Sequence, residues 1–256
     1  DFAEMTLSDR MVKNPQTVNN FLDRTLQVYK PAGERHLDKV KKLALAEDGI
    51  TDLQKWDYPY YNRLLKERVC NIDLNDFKKY LNLEKVLDGL RIHMEKQFGI
   101  EMRDKTADYS PYDPDMKVYE VYRKDGGALI GLFSTDYYVR PGAKSEGAWM
   151  QPVRTAGLHN GVFMPAIVSN DCNFRKPVPG QPTFISVNDY TTLYHEFGHA
   201  LHGLISSAAA PQPRYPSLNG INVKLDWVEA PSQLQENWAL QKEVLDTFAV
   251  HHDTQQ

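Results

Sequence analysis

The chain has 256 residues and a formal net charge of −4, from 30 Lys and Arg residues against 34 Asp and Glu residues. This near-neutral balance argues against a nucleic-acid partner. Hydrophobic residues make up 41% and charged residues 25% of the sequence, which is typical of globular proteins and excludes a disordered or collagen-like chain. Because no apolar stretch approaches the roughly 18–20 residues of a membrane span, we expect no membrane partner either.

The first half of the sequence is predicted to be helical. Apolar residues recur at helical spacing over residues 1–50, Tyr61–Val69 and Phe77–Phe98. Gly99 is expected to end the last of these helices, since glycine readily adopts the left-handed conformation found after a helix C-terminus. We therefore assign residues 1–117 to a helical region.

The pattern changes to that of strands near residue 118. β-Branched and aromatic residues predict strands over Val118–Tyr122 and Ala128–Tyr138, joined as a hairpin, and a further strand over Phe163–Ser169. Residues 118–256 are thus expected to hold a small antiparallel or mixed sheet and, after it, two helices. The predicted fold class is mainly α with a small β-sheet (α+β).

Two helices are predicted after the sheet. The first begins at Ser186 or Asn188, either of which can cap it, and runs to Ile205. A loop follows that contains Pro211, Pro213 and Pro216. The last helix begins near Pro231 and continues toward His252, with the proline in the first turn, where it needs no hydrogen-bond donor.

An HExxH motif, in which His195, Glu196 and His199 are the defining residues, lies inside the first of these two helices. Residues four apart share one helix face, so both imidazoles can bind one zinc ion while Glu196 lies beside it. The alternative is that both are ordinary core histidines with Glu196 on a solvated face. Apolar neighbours such as Leu193 and Leu201 predict a buried helix, in which an unpaired glutamate is costly, and this favours the metal site.

A third ligand is needed, and the residues offer two candidates. Glu229 begins the next predicted helix, whereas His202 lies three residues after His199 on roughly the same face. We prefer Glu229, and expect His202 to pack or to support the ligands. Asp226 can orient a ligand imidazole or simply belong to the loop. Three protein ligands leave the fourth zinc position open, which is typical of catalytic sites.

These motifs resemble the thimet oligopeptidase family of zinc metallopeptidases. The resemblance is carried by Tyr194–Gly203, Val228–Gln233 and Glu236–Trp238. It extends over nearly the whole chain, with further similar segments at Trp56–Tyr61, Gly131–Phe133, Gly147–Met150, Gly180–Pro182 and Val250–His252. Within the family, the bacterial peptidyl-dipeptidases look most similar and oligopeptidase A is the near neighbour. The fold implied is part of a zincin-like catalytic domain, to which residues 1–117 and 118–256 both belong.

The resemblance also implies roles for particular residues. His195, His199 and Glu229 become the ligands of one Zn²⁺ ion, and Glu196 the general base. A strand near Pro165, Ala166 and Ile167 is expected to border the cleft, where an extended peptide could pair with it; an internal strand is the alternative.

The implied function is zinc-dependent hydrolysis of short peptides, with release of C-terminal dipeptides. An oligopeptidase A-like endopeptidase is one alternative. Because the sequence does not begin with Met and ends before the family's downstream Tyr/His/Gly-rich segment, we expect a piece of a longer protein. An inactive metal-binding or peptide-binding fragment is therefore the second alternative. The longer protein is expected to be a monomer. The two cysteines, Cys70 and Cys172, stand in no metal-binding or disulfide-rich pattern, which favours the cytoplasm over the alternative, the periplasm.

Overall fold

The computed structural model describes residues 1–71, 73–178, 180–206 and 214–255. The chain forms two compact units, Asp1–Phe77 and Lys78–Gln256. The division predicted after residue 117 therefore falls inside the second unit. The predicted loop prolines Pro211 and Pro213 lie outside the described residues.

The first unit contains helices only in its described residues. They are α1 (Phe2–Leu7), α2 (Pro15–Asp48), α3 (Tyr58–Cys70) and α4 (Leu74–Phe77). The Asn14 side chain caps α2 by accepting a hydrogen bond from the Gln16 backbone at 2.8 Å. Val40 and Ala44 of α2 pack with Tyr61 of α3 to form a small core, as the helical spacing predicts.

The second unit combines a sheet with four helices in its described residues. In chain order its elements are α5 (Leu83–Phe98), β1 (Ile100–Asp104), β2 (Lys117–Arg123), β3 (Leu129–Tyr138), β4 (Trp149–Arg154), β5 (Gly157–His159), β6 (Val162–Met164), β7 (Ala166–Phe174), α6 (Val187–Ile205), α7 (Leu225–Ala239) and α8 (Lys242–Leu245). None of the helices in the described parts of the chain is long and apolar enough to cross a membrane.

The prediction of one helix over Phe77–Phe98 is wrong. After α4 the chain forms one turn of 3₁₀ helix, Lys78–Tyr80, and then leaves the helical conformation. Helix α5 begins beyond Asn82, whose side chain caps it by accepting a hydrogen bond from the Lys85 backbone at 3.3 Å. An asparagine inside an apolar pattern thus acts as a start signal, because its carbonyl satisfies a free N–H at the helix end. The predicted end at Gly99 is confirmed by its left-handed φ of 62°.

In the part of the chain that the structure describes, five strands form a mixed sheet in the order β1-β2-β3-β7-β4, and β5 pairs with β6 in a separate hairpin. Among these five strands β3 and β7 pair in parallel, and the other neighbours are antiparallel. The predicted β2–β3 hairpin and the α+β class are confirmed. Strand β1 falls within residues 1–117, so the region predicted as helical ends earlier in the structure. Pro152 lies in β4, at the sheet edge, where a missing N–H can face away from the ladder.

The strand predicted over Phe163–Ser169 is split at Pro165 into β6 and β7. Strand β7 is interior: Ile167 pairs with Leu132 of β3 on one side and with Arg154 of β4 on the other. The expected pairing of a peptide with Ala166 and Ile167 is therefore wrong, because these residues already pair within the sheet. Pro165 lies between β6 and β7, outside both strands, and its contact with a peptide stays a prediction.

A buried ion cluster lies where β3, β7 and β4 meet. The Lys144 side chain is 4% exposed, and its ammonium donates to the backbone carbonyls of Asp136 at 2.6 Å and Tyr138 at 3.3 Å, and to that of Cys172. The same ammonium lies 3.1 Å from the Asp136 carboxylate, which also accepts hydrogen bonds from Arg140 and Tyr112. Burial alone would raise the pKa of Asp136, but these donors outweigh it and the pKa is lowered.

Replacing Lys144 with Met should lower the free energy of unfolding at pH 7 by about 2–4 kcal/mol, because three carbonyls and one carboxylate lose a buried donor. An ionised Asp136 stabilises the fold above its unfolded pKa of about 3.9, and this contribution is lost as the pH falls through the lower folded value. The difference in the free energy of unfolding between wild type and variant should therefore be smaller at pH 3 than at pH 7. Denaturant unfolding at both pH values tests this, with the exposed Lys105→Met as control. A variant as stable as wild type at pH 7 would contradict it.

Candidate metal centre

Helix α6 carries the HExxH motif across the face of the sheet. Of the two predicted caps, Ser186 is the one used: its hydroxyl accepts from the Asp189 backbone at 3.1 Å, and the Asp189 carboxylate accepts from the Ser186 backbone at 3.0 Å. Leu193, Tyr194 and Phe197 are at most 2% exposed. The motif is thus built into a buried helix, as its apolar neighbours predict.

Helix α7 lies against α6, and Gly198 makes the approach close. A Cβ atom at this position would lie 2.6 Å from the Ser232 Cα and 3.1 Å from the Pro231 carbonyl oxygen of α7. The last helix was predicted to begin near Pro231 and to run toward His252; instead it spans Leu225–Ala239, with Pro231 inside its second turn. The Leu225 start allows Glu229 to lie within the helix and face α6.

The side chains of His195, His199 and Glu229 converge between the two helices. Oε2 of Glu229 lies 3.1 Å from Nε2 of His195 and 3.2 Å from Nε2 of His199. One potential ligand atom from each residue lies within 4.8 Å of the other two. The Ser232 hydroxyl donates to the Glu229 carboxylate at 3.0 Å and so restrains it.

Glu196 lies beside this group and is 7% exposed. Burial raises the pKa of its carboxyl group, and the nearby Glu229 raises it further, whereas His195 and a hydrogen bond from the Met150 backbone act in the opposite direction. A raised pKa suits a group that must accept and then release a proton near neutral pH. The Met150 contact also shows that Glu196 adjoins edge strand β4.

Sequence reasoning missed the role of Glu236. Its Oε1 lies 2.6 Å from Nδ1 of His195, a hydrogen bond that favours the proton on Nδ1 and leaves the Nε2 lone pair directed toward Glu229. Glu236 follows Glu229 by seven residues, which places both on the same face of a helix. That spacing is the signal from which the contact could have been found.

The two predicted supporting residues, His202 and Asp226, do not belong to the group of potential ligand atoms. His202 is on α6, but the potential metal-binding group among the described residues does not include it. Its Nδ1 is buried and has no hydrogen-bond partner among the described residues. Asp226 is exposed in the first turn of α7.

The donor set fits zinc. Two imidazoles and one carboxylate are the ligands of many catalytic zinc sites, and ligand atoms around a tetrahedral zinc ion lie about 3.3 Å apart given its bond lengths. The Glu229–histidine distances of 3.1 and 3.2 Å are close to this value. Burial lowers the pKa of His199, which favours the neutral imidazole that a metal requires.

Comparison with known proteins gives the same family as the motifs. The chain is 32% identical to oligopeptidase A of Salmonella typhimurium over 256 residues and 31% identical to dipeptidyl carboxypeptidase of Escherichia coli over 254 residues; each match covers 99% of this chain and 36% of the relative. A thimet-like oligopeptidase of Dictyostelium discoideum is 27% identical over 96% of this chain and 37% of the relative. The chain thus spans little more than a third of the length of these relatives. The model of Peptidase family M3 matches residues 1–256, and the chain accordingly belongs to that family.

Proposed function

We propose that this chain carries the zinc centre of a metallopeptidase that hydrolyses short peptides. The observation that carries the proposal is the convergence of His195, His199 and Glu229, with the buried Glu196 beside them. Membership of Peptidase family M3 supports the peptidase activity. A zinc ion held by the three residues would supply Lewis acidity toward the scissile carbonyl and lower the pKa of a water molecule.

Glu196 is the proposed general base. Its carboxylate takes a proton from the attacking water and passes it to the leaving amine, which requires a pKa nearer to neutrality than that of an exposed glutamate. Glu236 holds the His195 ring in the orientation that frees Nε2 for the metal. These two glutamates therefore act on the proton and on the ligand geometry, respectively.

Strand β4 is the proposed docking edge for the peptide. Among the described strands it has a neighbour on one side only, β7, and the Met150 backbone contacts Glu196. An extended peptide that adds to this edge would present its backbone to Glu196 while its side chains point away from the plane of the sheet. Pairing through the backbone is consistent with a broad tolerance of peptide sequence.

Release of C-terminal dipeptides is the finer activity that we propose, on the strength of the predicted similarity to the peptidyl-dipeptidases. An oligopeptidase A-like endopeptidase is the second candidate, since the relatives of both names match at nearly equal identity. Mass spectrometry of the products from an eight-residue peptide and its C-terminally amidated form separates them. Dipeptide release needs the free carboxylate and should stop on amidation, whereas internal cleavage should continue.

The primary test measures zinc content and peptide cleavage of the same sample. We expect close to one zinc ion per chain after equilibration with zinc and desalting, and cleavage that a chelator abolishes and zinc restores. A folded sample without zinc at neutral pH would overturn the metal site. Bound zinc without cleavage would leave the site standing and make this chain an inactive metal-binding fragment.

Replacing Glu236 with Gln should weaken zinc affinity about 10–100-fold, because the amide can hold the His195 ring but does not increase its basicity as a carboxylate does. Competition with a chromogenic chelator measures the affinity. Glu243→Gln on α8 is the matched control, since it removes an exposed carboxylate away from the site. Equal zinc affinity of the Glu236 variant and wild type would show that this hydrogen bond does not support the ligand.

A further inference from the structure

A cavity of about 570 Å³ lies between helix α5 and the sheet in the second unit. Phe197 of α6 forms part of its wall, but none of the four residues of the proposed zinc site lines it. Its volume is in the range of pockets that bind small organic molecules. The cavity is therefore a separate candidate binding site within the same unit.

One wall of this cavity is aromatic and continuous. The rings of Tyr119 and Phe133 are stacked with centroids 6.2 Å apart, and the rings of Phe133 and Phe197 meet edge to face at 4.9 Å. Tyr137 and Tyr138 extend the lining. Phe133 and Phe197 are at most 2% exposed, so they support the wall without facing a ligand. The partly exposed rings of Tyr119 and Tyr138 offer apolar area and ring faces that attract cations.

The basic groups in the lining are already close to acids. The Arg91 guanidinium lies 3.4 Å from the carboxylate of Glu95, and the Lys117 ammonium lies 4.0 Å from that of Asp104. Neither cation is thus available to an anionic ligand without competition from a neighbouring carboxylate. This arrangement disfavours an anion as the occupant of the cavity.

The acidic residues of the lining differ in whether a cation pairs with them. Asp115 pairs with Lys176 at 2.5 Å and Asp88 lies 3.8 Å from Arg91, but Glu84 forms no ion pair with any described residue. Glu84 is exposed on its helix and lines the cavity. The unpaired charge in the lining is therefore negative.

Glu84 also marks the junction with a second cavity of about 320 Å³. Glu84, Tyr138 and Pro177 line both cavities. Burial raises the pKa of Tyr138, the charges of Glu84 and Asp115 raise it further, and Lys176 acts in the opposite direction. The Glu84 carboxylate is thus close enough to act on the Tyr138 side chain. A carboxylate beside an aromatic ring is a favourable environment for an ammonium group.

We propose that the two adjoining cavities form a binding site for a small organic cation, namely an ammonium group attached to an apolar body. The ammonium lies beside Glu84 and the Tyr138 ring, and the apolar body packs against Leu87 and Tyr119, which line the larger cavity and are partly exposed. The site does not depend on zinc. Either a free amine or the amino terminus of a peptide has this chemistry.

Calorimetric titration of the whole chain, with and without zinc, tests the proposal. The probes are phenethylamine as a free amine, phenylalaninamide as a peptide amino terminus, and 3-phenylpropionate as an anion of similar shape. We expect saturable binding of at least one amine and at least fivefold weaker binding of the propionate. The amine that binds more tightly shows whether the site prefers a free amine or the amino terminus of a peptide. Binding without zinc keeps this result separate from that of the metal site.

Two variants decide the role of Glu84. Glu84→Gln should weaken amine binding about fivefold, as expected for loss of one partly exposed charge pair. Glu243→Gln, an equivalent change on α8, should leave it unchanged. Thermal melting checks that both variants fold. Three results would each overturn the proposal. They are equal binding of propionate and amine, unchanged amine binding by the Glu84 variant, and no binding of either amine.

Discussion

Glu196→Gln is expected to reduce peptide cleavage between about 10² and 10⁴-fold while leaving the zinc content unchanged. The amide keeps the shape of the side chain but cannot accept the proton of the attacking water. His195, His199 and Glu229 are untouched by the change, so metal binding should persist. Cleavage rates at saturating peptide, together with zinc content by elemental analysis, separate the two effects.

The control for this substitution is Glu34→Gln in α2, where the carboxylate is exposed and lies in the first unit. That variant should match wild type in both measurements. A Glu196 variant that keeps more than a tenth of the wild-type rate would remove Glu196 from the proposed mechanism. Loss of zinc together with activity would instead place Glu196 among the residues that support the metal.

Gly198→Ala is expected to destabilise the second unit by about 1–3 kcal/mol and to weaken zinc affinity about tenfold or more. The added Cβ would lie 2.6 Å from the Ser232 Cα, and a backbone atom cannot rotate away. Helix α7 must therefore shift. Glu229 and Glu236 both lie on α7, so the shift moves a proposed ligand and the partner of His195 together.

Gly33→Ala provides the matched control, because Gly33 also lies inside a helix but a Cβ there has no neighbour within 4 Å. It should stabilise the chain by up to about 1 kcal/mol, since alanine loses less conformational entropy in a helix. Denaturant unfolding and chelator competition measure both variants. Similar effects of the two substitutions would show that the close approach of α6 and α7 does not control the site.

Local patterns in the sequence predicted several elements correctly. The α2 and α6 helices, the β2–β3 hairpin and the end of α5 at Gly99 follow from periodicity and capping residues, which act over a few neighbouring positions. The break before Asn82 and the continuation of α7 through Pro231 were missed. At Asn82 a side-chain cap outweighed the apolar periodicity, and at Pro231 the contacts of α7 with α6 did so.

The sequence by itself determined the family and the chemical type of the candidate site. His195, Glu196 and His199 are four residues or fewer apart, so a single helix brings them together whatever surrounds it. The distance of Glu229 from these residues, the hydrogen bond from Glu236 and the need for Gly198 were decided only by the tertiary structure. Those features depend on how α7 packs against α6, thirty residues or more along the chain. The same reason explains the wrong assignment of Ala166 and Ile167, because strand order decides which backbone edge is free. That order follows from the pairing of β7 between β3 and β4 rather than from the strand's own residues.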